Sequence, residues 1–122
     1  MGWFSRRQPP SASFTTVSWD TLDLGYRATI RGESHYQPQL RALQRRSREW
    51  TAVLVREPGN RYDPNAVAVH IDGQCIGHLA REDAAELAPR LDALLRGRVL
   101  VTFDALLCGG DRERPNIGVF QN

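Results

Sequence analysis

Polar and apolar residues alternate along several short stretches of this chain, and one stretch repeats its apolar residues at helical spacing. From Leu24 to Tyr36, Tyr26, Ala28 and Ile30 alternate with Arg27, Thr29 and Arg31, which predicts a first long strand with a bulge or bend at Gly32. Gln37-Pro38 ends it, and Gln39 to Arg46 reads as a short basic helix or turn with Leu40 and Leu43 on one side. Glu49 to Arg56 is a second strand. Ala66 to Ile71, with Val67, Val69 and Ile71 at alternate positions, turns through Asp72-Gly73 into Gln74 to Leu79, a hairpin. Arg98 to Leu107 places Val99, Val101, Phe103 and Ala105 on one face, and Asn116 to Phe120 is a last short strand. The polar Gly109 to Pro115 loop between them is a hairpin tip free to touch a ligand.

The helical stretch is Arg81 to Leu95, where Ala84, Leu87, Leu91, Leu94 and Leu95 form one apolar stripe. Glu82, Asp83 and Glu86 crowd its N-terminal half, the end where the helix dipole favours negative charge. Pro89 inside the pattern predicts a kink or break near Ala85 to Ala88, and Gly97 stops the helix. Six short strands and one main helix make a mostly-β α+β domain. So small a core closes most economically into a barrel, OB-like or SH3-like, with Arg81 to Leu95 covering one opening.

Residues 1–20 read as a flexible leader, because Gln8-Pro9-Pro10-Ser11-Ala12-Ser13 sustains neither helix nor ladder; the domain is then 21–122. Trp3, Phe4 and Trp19 are unexpected in such a leader, and either the domain or a partner can receive them. The length of 122 residues suits one domain. No apolar run is long enough to span a bilayer, and the first residues lack a secretory signal or a myristoylation pattern, so the default address is cytoplasmic and no membrane is implied. Cys75 and Cys108 lack companions at metal-ligand spacing; they read as buried reduced thiols, with no metal expected.

Charge is unevenly spread. Residues 27–61 hold eight arginines against three glutamates, whereas residues 62–122 hold six arginines against nine acids. The basic excess therefore lies in the first half, and every basic residue outside the histidines is arginine, which suits phosphate and stacks on bases. Asp63, Asp72, His70 and His78 match no nuclease or metal spacing, and no G-x-x-x-x-G-K-[ST] loop is present. The chain reads as a binding module, not an enzyme, with no cofactor and no small-molecule ligand.

Candidate binding residues gather at one turn and two strand ends. Asn60, Tyr62 and Asp63 lie in one, His35 and Tyr36 end the first strand, and His78 and Arg81 close the strand before the helix. Tyr62 offers a face for a terminal base. Arg81 can pair a phosphate. Asp63 would repel a phosphate-rich ligand, yet it can accept from a free hydroxyl. Plainer roles stand beside these. Asp63 and Asn65 also cap a turn for its own sake, Tyr62 can pack on the barrel rim, and His78 can be a partly buried strand residue. His70 reads as solvent-facing. The Arg45-Arg46-Ser47-Arg48 run is either a solvated face or a weaker phosphate contact through Arg45 and Arg46.

RxPxNxYDxNAVxV, from Arg56 to Val69, followed by GxxIGHLxRE, from Gly73 to Glu82, resembles the HIRAN domain family over roughly residues 25–121. The resemblance implies an OB-like barrel that grips the 3′-hydroxyl end of single-stranded DNA. Positions similar to Asn60, Tyr62, Asp63, His78 and Arg81 line the family's pocket. Arg31 to Tyr36 resembles its opening strand, which ends in an aromatic pair; here His35 replaces a stacking tyrosine and Ser34 a basic residue. Family members are often fused to ATP-driven translocases, so hydrolase labels would reflect those domains. The implied function is recognition of a single-stranded DNA 3′ end in DNA repair or replication-fork processing. The alternative is a protein-interaction domain acting beside a DNA-processing enzyme.

Overall fold

A computed structural model describes residues 13–122. Its strands are β1 (Thr15–Ser18), β2 (Ile30–Arg31), β3 (Glu49–Arg56), β4 (Val67–Ile71), β5 (Gln74–Leu79), β6 (Val99–Gly109) and β7 (Ile117–Gln121), and its helices are α1 (Gln37–Arg46) and α2 (Arg81–Arg96). Among the described residues this is the expected mostly-β α+β fold, with seven strands in one sheet. The sheet runs β1-β6-β3-β4-β5-β2, and β7 also pairs with β6. Along its edge away from β3, the long β6 serves two partners in turn, β1 along Val99–Thr102 and β7 along Ala105–Gly109. No helix among the described residues is long and apolar enough to cross a membrane.

Alternation fixes the core. Val101, Phe103, Ala105 and Leu107 of β6 are buried, as are Val67, Val69 and Ile71 of β4 and Ala52 and Leu54 of β3. From the helices, Leu40, Leu43, Ala84, Leu87 and Leu91 join the same cluster. Each fully buried leucine contributes roughly 1.5–3 kcal/mol. Asp72 and Gly73 both adopt positive φ (51° and 76°), the geometry of a type I′ hairpin turn.

Five expectations are corrected. Part of the supposed leader belongs to the sheet: Thr15–Ser18 pairs parallel with β6, and Trp19, 3% exposed, packs edge-to-face on Tyr26 and Phe103. Trp3 and Phe4 lie outside the described residues. The long first strand shrinks to Ile30–Arg31, because Gly32 takes a left-handed conformation (φ 83°) and turns the chain into a 3-10 turn at Glu33–Tyr36, followed by α1. Pro89 does not break α2, which continues from Arg81 to Arg96; Pro89 and Ala85 are both exposed, so the carbonyl deprived of its donor faces water. Leu95, expected on the buried stripe, is 40% exposed near the helix end.

The fifth correction concerns closure. Strand pairing does not close the sheet into a barrel, since among the described residues no ladder joins β2 to β7. Side chains bridge the gap instead. Gln37 accepts from the Ile117 N–H (2.8 Å) and donates to the Ile117 carbonyl (2.9 Å), imitating a strand neighbour with its side-chain amide. The Glu33 carboxylate accepts from the Val119 N–H (3.1 Å), and the Gln121 side chain accepts from the Ala28 N–H (2.7 Å). The N–H and C=O of Ile117 and the N–H of Val119, which face away from β6, are thereby satisfied.

Gln37→Met keeps the bulk and removes the amide, leaving a buried N–H and C=O unpaired. It should lower the urea-unfolding free energy by about 2–4 kcal/mol. A loss below about 0.5 kcal/mol, the range of ordinary surface changes, would mean that the bridge adds nothing.

Candidate nucleic-acid interface

The segment after β3 is polar and rich in chain-breaking residues, so it leaves the sheet and must satisfy its own backbone. Glu57 N–H donates to the Ala66 carbonyl, Asn60 N–H to Glu57 and Ala66 N–H to Asp63, each at 3.0 Å. The Asn60 side-chain oxygen accepts from the N–H groups of Tyr62 (2.9 Å) and Asp63 (3.1 Å). Asp63 Oδ1 accepts from the Asn65 N–H (2.9 Å). The buried Arg56 guanidinium donates to the carbonyls of Ala66 (2.8 Å) and Pro64 (3.0 Å) and pairs with Asp92 (2.9 Å), which ties this turn to α2.

The other wall depends on a β-bulge. Between β4 and β5 the register passes from Val69↔Gly77 to His70↔Cys75, leaving Ile76 as an extra residue. Ile76 and Leu79, three positions apart, are therefore both buried in the core, and His78 between them is only half-buried. Gly77 sits where β2 crosses close by: a Cβ there would lie 2.8 Å from Ile30 Cγ2 and 2.9 Å from the Arg31 carbonyl oxygen. Arg31 pairs with His78, and the Ala80 N–H bonds to Thr29 just before α2 begins at Arg81. Ala80 supplies no side-chain cap to that helix.

These two walls enclose a cleft of about 280 Å³ lined by Asn60, Tyr62, Asp63, Ala66, His78, Leu79 and Arg81. Five of the seven main candidates thus meet in one place, over a floor of Ala66 and Leu79. Tyr62 is 86% exposed and does not pack on the rim of the sheet. Asp63 both caps the turn, through Oδ1, and turns Oδ2 toward Arg81 at 3.8 Å. Its side chain is 19% exposed against 78% for Arg81, so the acid is recessed and the base stands outside.

The remaining candidates are placed differently. The Tyr36 hydroxyl lies near Cys75 and Glu57; hydrogen bonding to the thiol, burial and the neighbouring negative charges push its pKa up to about 12. His35 is exposed, its backbone N–H bonded to Gly32, and it does not line the cleft. Arg46 is engaged elsewhere. It pairs with Asp72 at 2.8 Å, stacks over Trp50 and sits by the hairpin tip, at the far end of β5 from His78. Arg45 next to it is exposed and also outside the cleft. His70 is half-buried, and Cys75 and Cys108 are free, half-buried thiols. No group of three His, Cys, Asp or Glu among the described residues is placed to hold a metal ion. Two other hollows carry more acid than base, one with Asp20 and Asp23 against Arg27 and one with Glu49 and Asp104.

Sequence reasoning missed Glu57. Its Oε1 accepts from His78 Nε2 (2.8 Å) and from Asn60 Nδ2 (3.1 Å), joining the two walls. Burial alone would push this carboxyl up, but the bonds from His78 and Asn60 and the nearby imidazoles outweigh it, and its pKa lies below the ordinary glutamate value. The signal was present as an acid three residues before Asn60 in a Pro-Gly turn, where Pro58 and Gly59 drew attention as chain breakers.

The family model of the HIRAN domain matches residues 26–103, a span from the approach to β2 into β6 that includes every residue of the cleft. The chain belongs to the HIRAN family. HIRAN domains are generally DNA-binding modules. No curated protein and no solved structure matches the chain. Strands β1 and β7 of this HIRAN domain lie outside the matched span.

Gly77→Ala forces apart β2 and β5 and should cost on the order of 2–3 kcal/mol of unfolding free energy, measured in urea. Stability unchanged within about 0.5 kcal/mol would show that β2 moves aside freely. The Glu57 carboxyl yields a pH prediction. Its folded pKa lies below the unfolded value of about 4.3, so its contribution is complete above that value and lost as pH falls through the folded one. The stability difference between wild type and Glu57→Gln should therefore shrink as pH falls from about 5 to about 3. A difference that grows over that window would mean that burial governs the carboxyl.

Proposed function

We propose that this HIRAN domain binds single-stranded DNA at its 3′-hydroxyl end, as a recognition module in DNA repair or replication-fork processing with no bond-breaking chemistry of its own. The observation that carries this reading is the convergence of an exposed tyrosine, a recessed carboxylate and an exposed guanidinium in one cleft. The terminal base stacks on Tyr62, a contact of about 1–3 kcal/mol. Asp63 accepts the terminal hydroxyl through Oδ2, which the turn does not use. Arg81 pairs the phosphate behind the terminal sugar, and the uncapped first turn of α2 offers N–H donors to the same group.

A recessed acid distinguishes an end from the middle of a strand. Only a terminus presents a hydroxyl donor, whereas a phosphate at that position meets the carboxylate as a second negative charge. A charge-assisted hydrogen bond contributes roughly 1.5–3 kcal/mol, and about 1.4 kcal/mol is a factor of ten. The 3′-hydroxyl strand should therefore bind about tenfold or more tightly than the same strand ending in 3′-phosphate, by fluorescence anisotropy. Asp63→Asn keeps the acceptor that caps Asn65 but removes the charge, so it should narrow that ratio. Tyr62→Ala should weaken both ends alike, because stacking ignores end chemistry. Equal binding of the two ends by folded wild-type protein would reduce Asp63 to a turn residue and end this reading.

A further inference from the structure

Two cleft residues approach a ligand from opposite walls, Asn60 from the turn and His78 from β5, and each has a side chain that can face two ways. An amide can exchange its oxygen and nitrogen ends by a flip, and a neutral imidazole can carry its proton on either nitrogen. An ionised carboxylate only accepts. Glu57 Oε1 therefore requires N–H from both neighbours: Nδ2 of Asn60 at 3.1 Å and Nε2 of His78 at 2.8 Å. With Nδ2 so committed, Oδ1 of Asn60 is the end that receives the N–H groups of Tyr62 and Asp63. With Nε2 so committed, the neutral His78 ring is left with Nδ1 as its acceptor.

We propose that Glu57 is the positioning residue of the cleft, fixing the Asn60 amide and the His78 tautomer so that the stacking tyrosine and the hydroxyl-accepting aspartate are held in register with the opposite wall. This rests on the reading of the cleft as a strand-end site. Glu57 does not line the cleft itself and acts through the two residues that it holds. Its depressed pKa is consistent with an ionised acceptor at neutral pH. The negative charge is not what the ligand requires. An uncharged acceptor in the same place would serve, and a polyanion would be repelled less by it.

The test uses the full chain and a labelled short single strand ending in 3′-hydroxyl. Glu57→Ala should weaken binding about tenfold, corresponding to loss of one well-formed polar contact. Glu57→Gln, whose amide oxygen can accept both bonds, should recover most of that loss. In an Asn60→Ala/His78→Ala background, Glu57→Ala should change affinity no further, since it acts through those two side chains. Wild-type affinity in Glu57→Ala, an equal loss in Glu57→Gln, or a full additional loss in the double background would each overturn the proposal. A readout independent of DNA and of any variant is the His78 tautomer by nitrogen NMR. The proton should be on Nε2 in the neutral ring, and a proton on Nδ1 would overturn the assignment. Tyr62→Ala in the same binding assay separates the two readings. If it binds like wild type, the cleft is not the strand-end site; if it weakens while Glu57→Ala does not, only the positioning role fails.

Discussion

Close backbone approach at Gly77 is the constraint on which both fold and cleft depend. There is no space for a Cβ between β5 and the Ile30–Arg31 backbone, and that crowding lets so short a strand as β2 dock at all. The adjoining bulge delivers Ile76 and Leu79 to the core together and leaves His78 pointing away from it. Two residues beyond Leu79 the chain enters α2 at Arg81. One wall of the cleft and the start of the main helix are thus set by a single irregularity in β5. A regular strand would have put Ile76 and His78 on the same face, losing either a core residue or a site residue.

Two carboxylates, Asp63 in the cleft and Glu57 behind it, make a poor receiver for nucleic acid until their placement is considered. Glu57 is spent on His78 and Asn60, and Asp63 is recessed behind Arg81. The fold treats its arginines in a similar way. Residues 27–61 carry a surplus of positive charge, but Arg56 is buried as a clasp between the turn and α2, and Arg46 is held by Asp72 and Trp50. Arg48 and Arg27 also reach backbone carbonyls, of Leu107 and Gln121. A charge count records none of this division between structural and available cations, so the surplus does not by itself define a phosphate track.

The parts of this fold that were legible in the sequence are those written in local pattern. Strand β3, the β4–β5 hairpin with its Asp72-Gly73 turn, and the apolar stripe of α2 follow from periodicity and turn chemistry. The cleft was legible because its members flank those recognisable elements, at the end of β3 and the end of β5. What was not legible is non-local or irregular. The four residues of β1 become a strand only because Val99–Thr102 of β6 lies beside them. Gln37 is an ordinary polar residue beside a proline until Ile117, eighty positions away, presents an N–H and a C=O to it. A bulge likewise has no periodic signature, so the orientation of His78 could not be read from alternation.

The turn from Glu57 to Ala66 has a further property that bears on binding. Loops that recognise ligands commonly lose freedom when they do so, and that ordering opposes association. Here the backbone is already cross-linked by Glu57–Ala66, Asn60–Glu57 and Ala66–Asp63 bonds, by the Asn60 and Asp63 side chains, and by Arg56 from beneath. Little freedom is left to lose except in the side chains that point outward. Tyr62, with only two side-chain torsions, is an inexpensive group to immobilise, and its ring contributes no packing that the fold would forfeit. Arg81 is more mobile, but it is anchored at the first turn of a helix and needs only to close on a charge. The rigid turn therefore suits discrimination between strand ends: a carboxylate that cannot retreat from a phosphate retains its full repulsion, whereas a flexible loop would yield and lose the distinction.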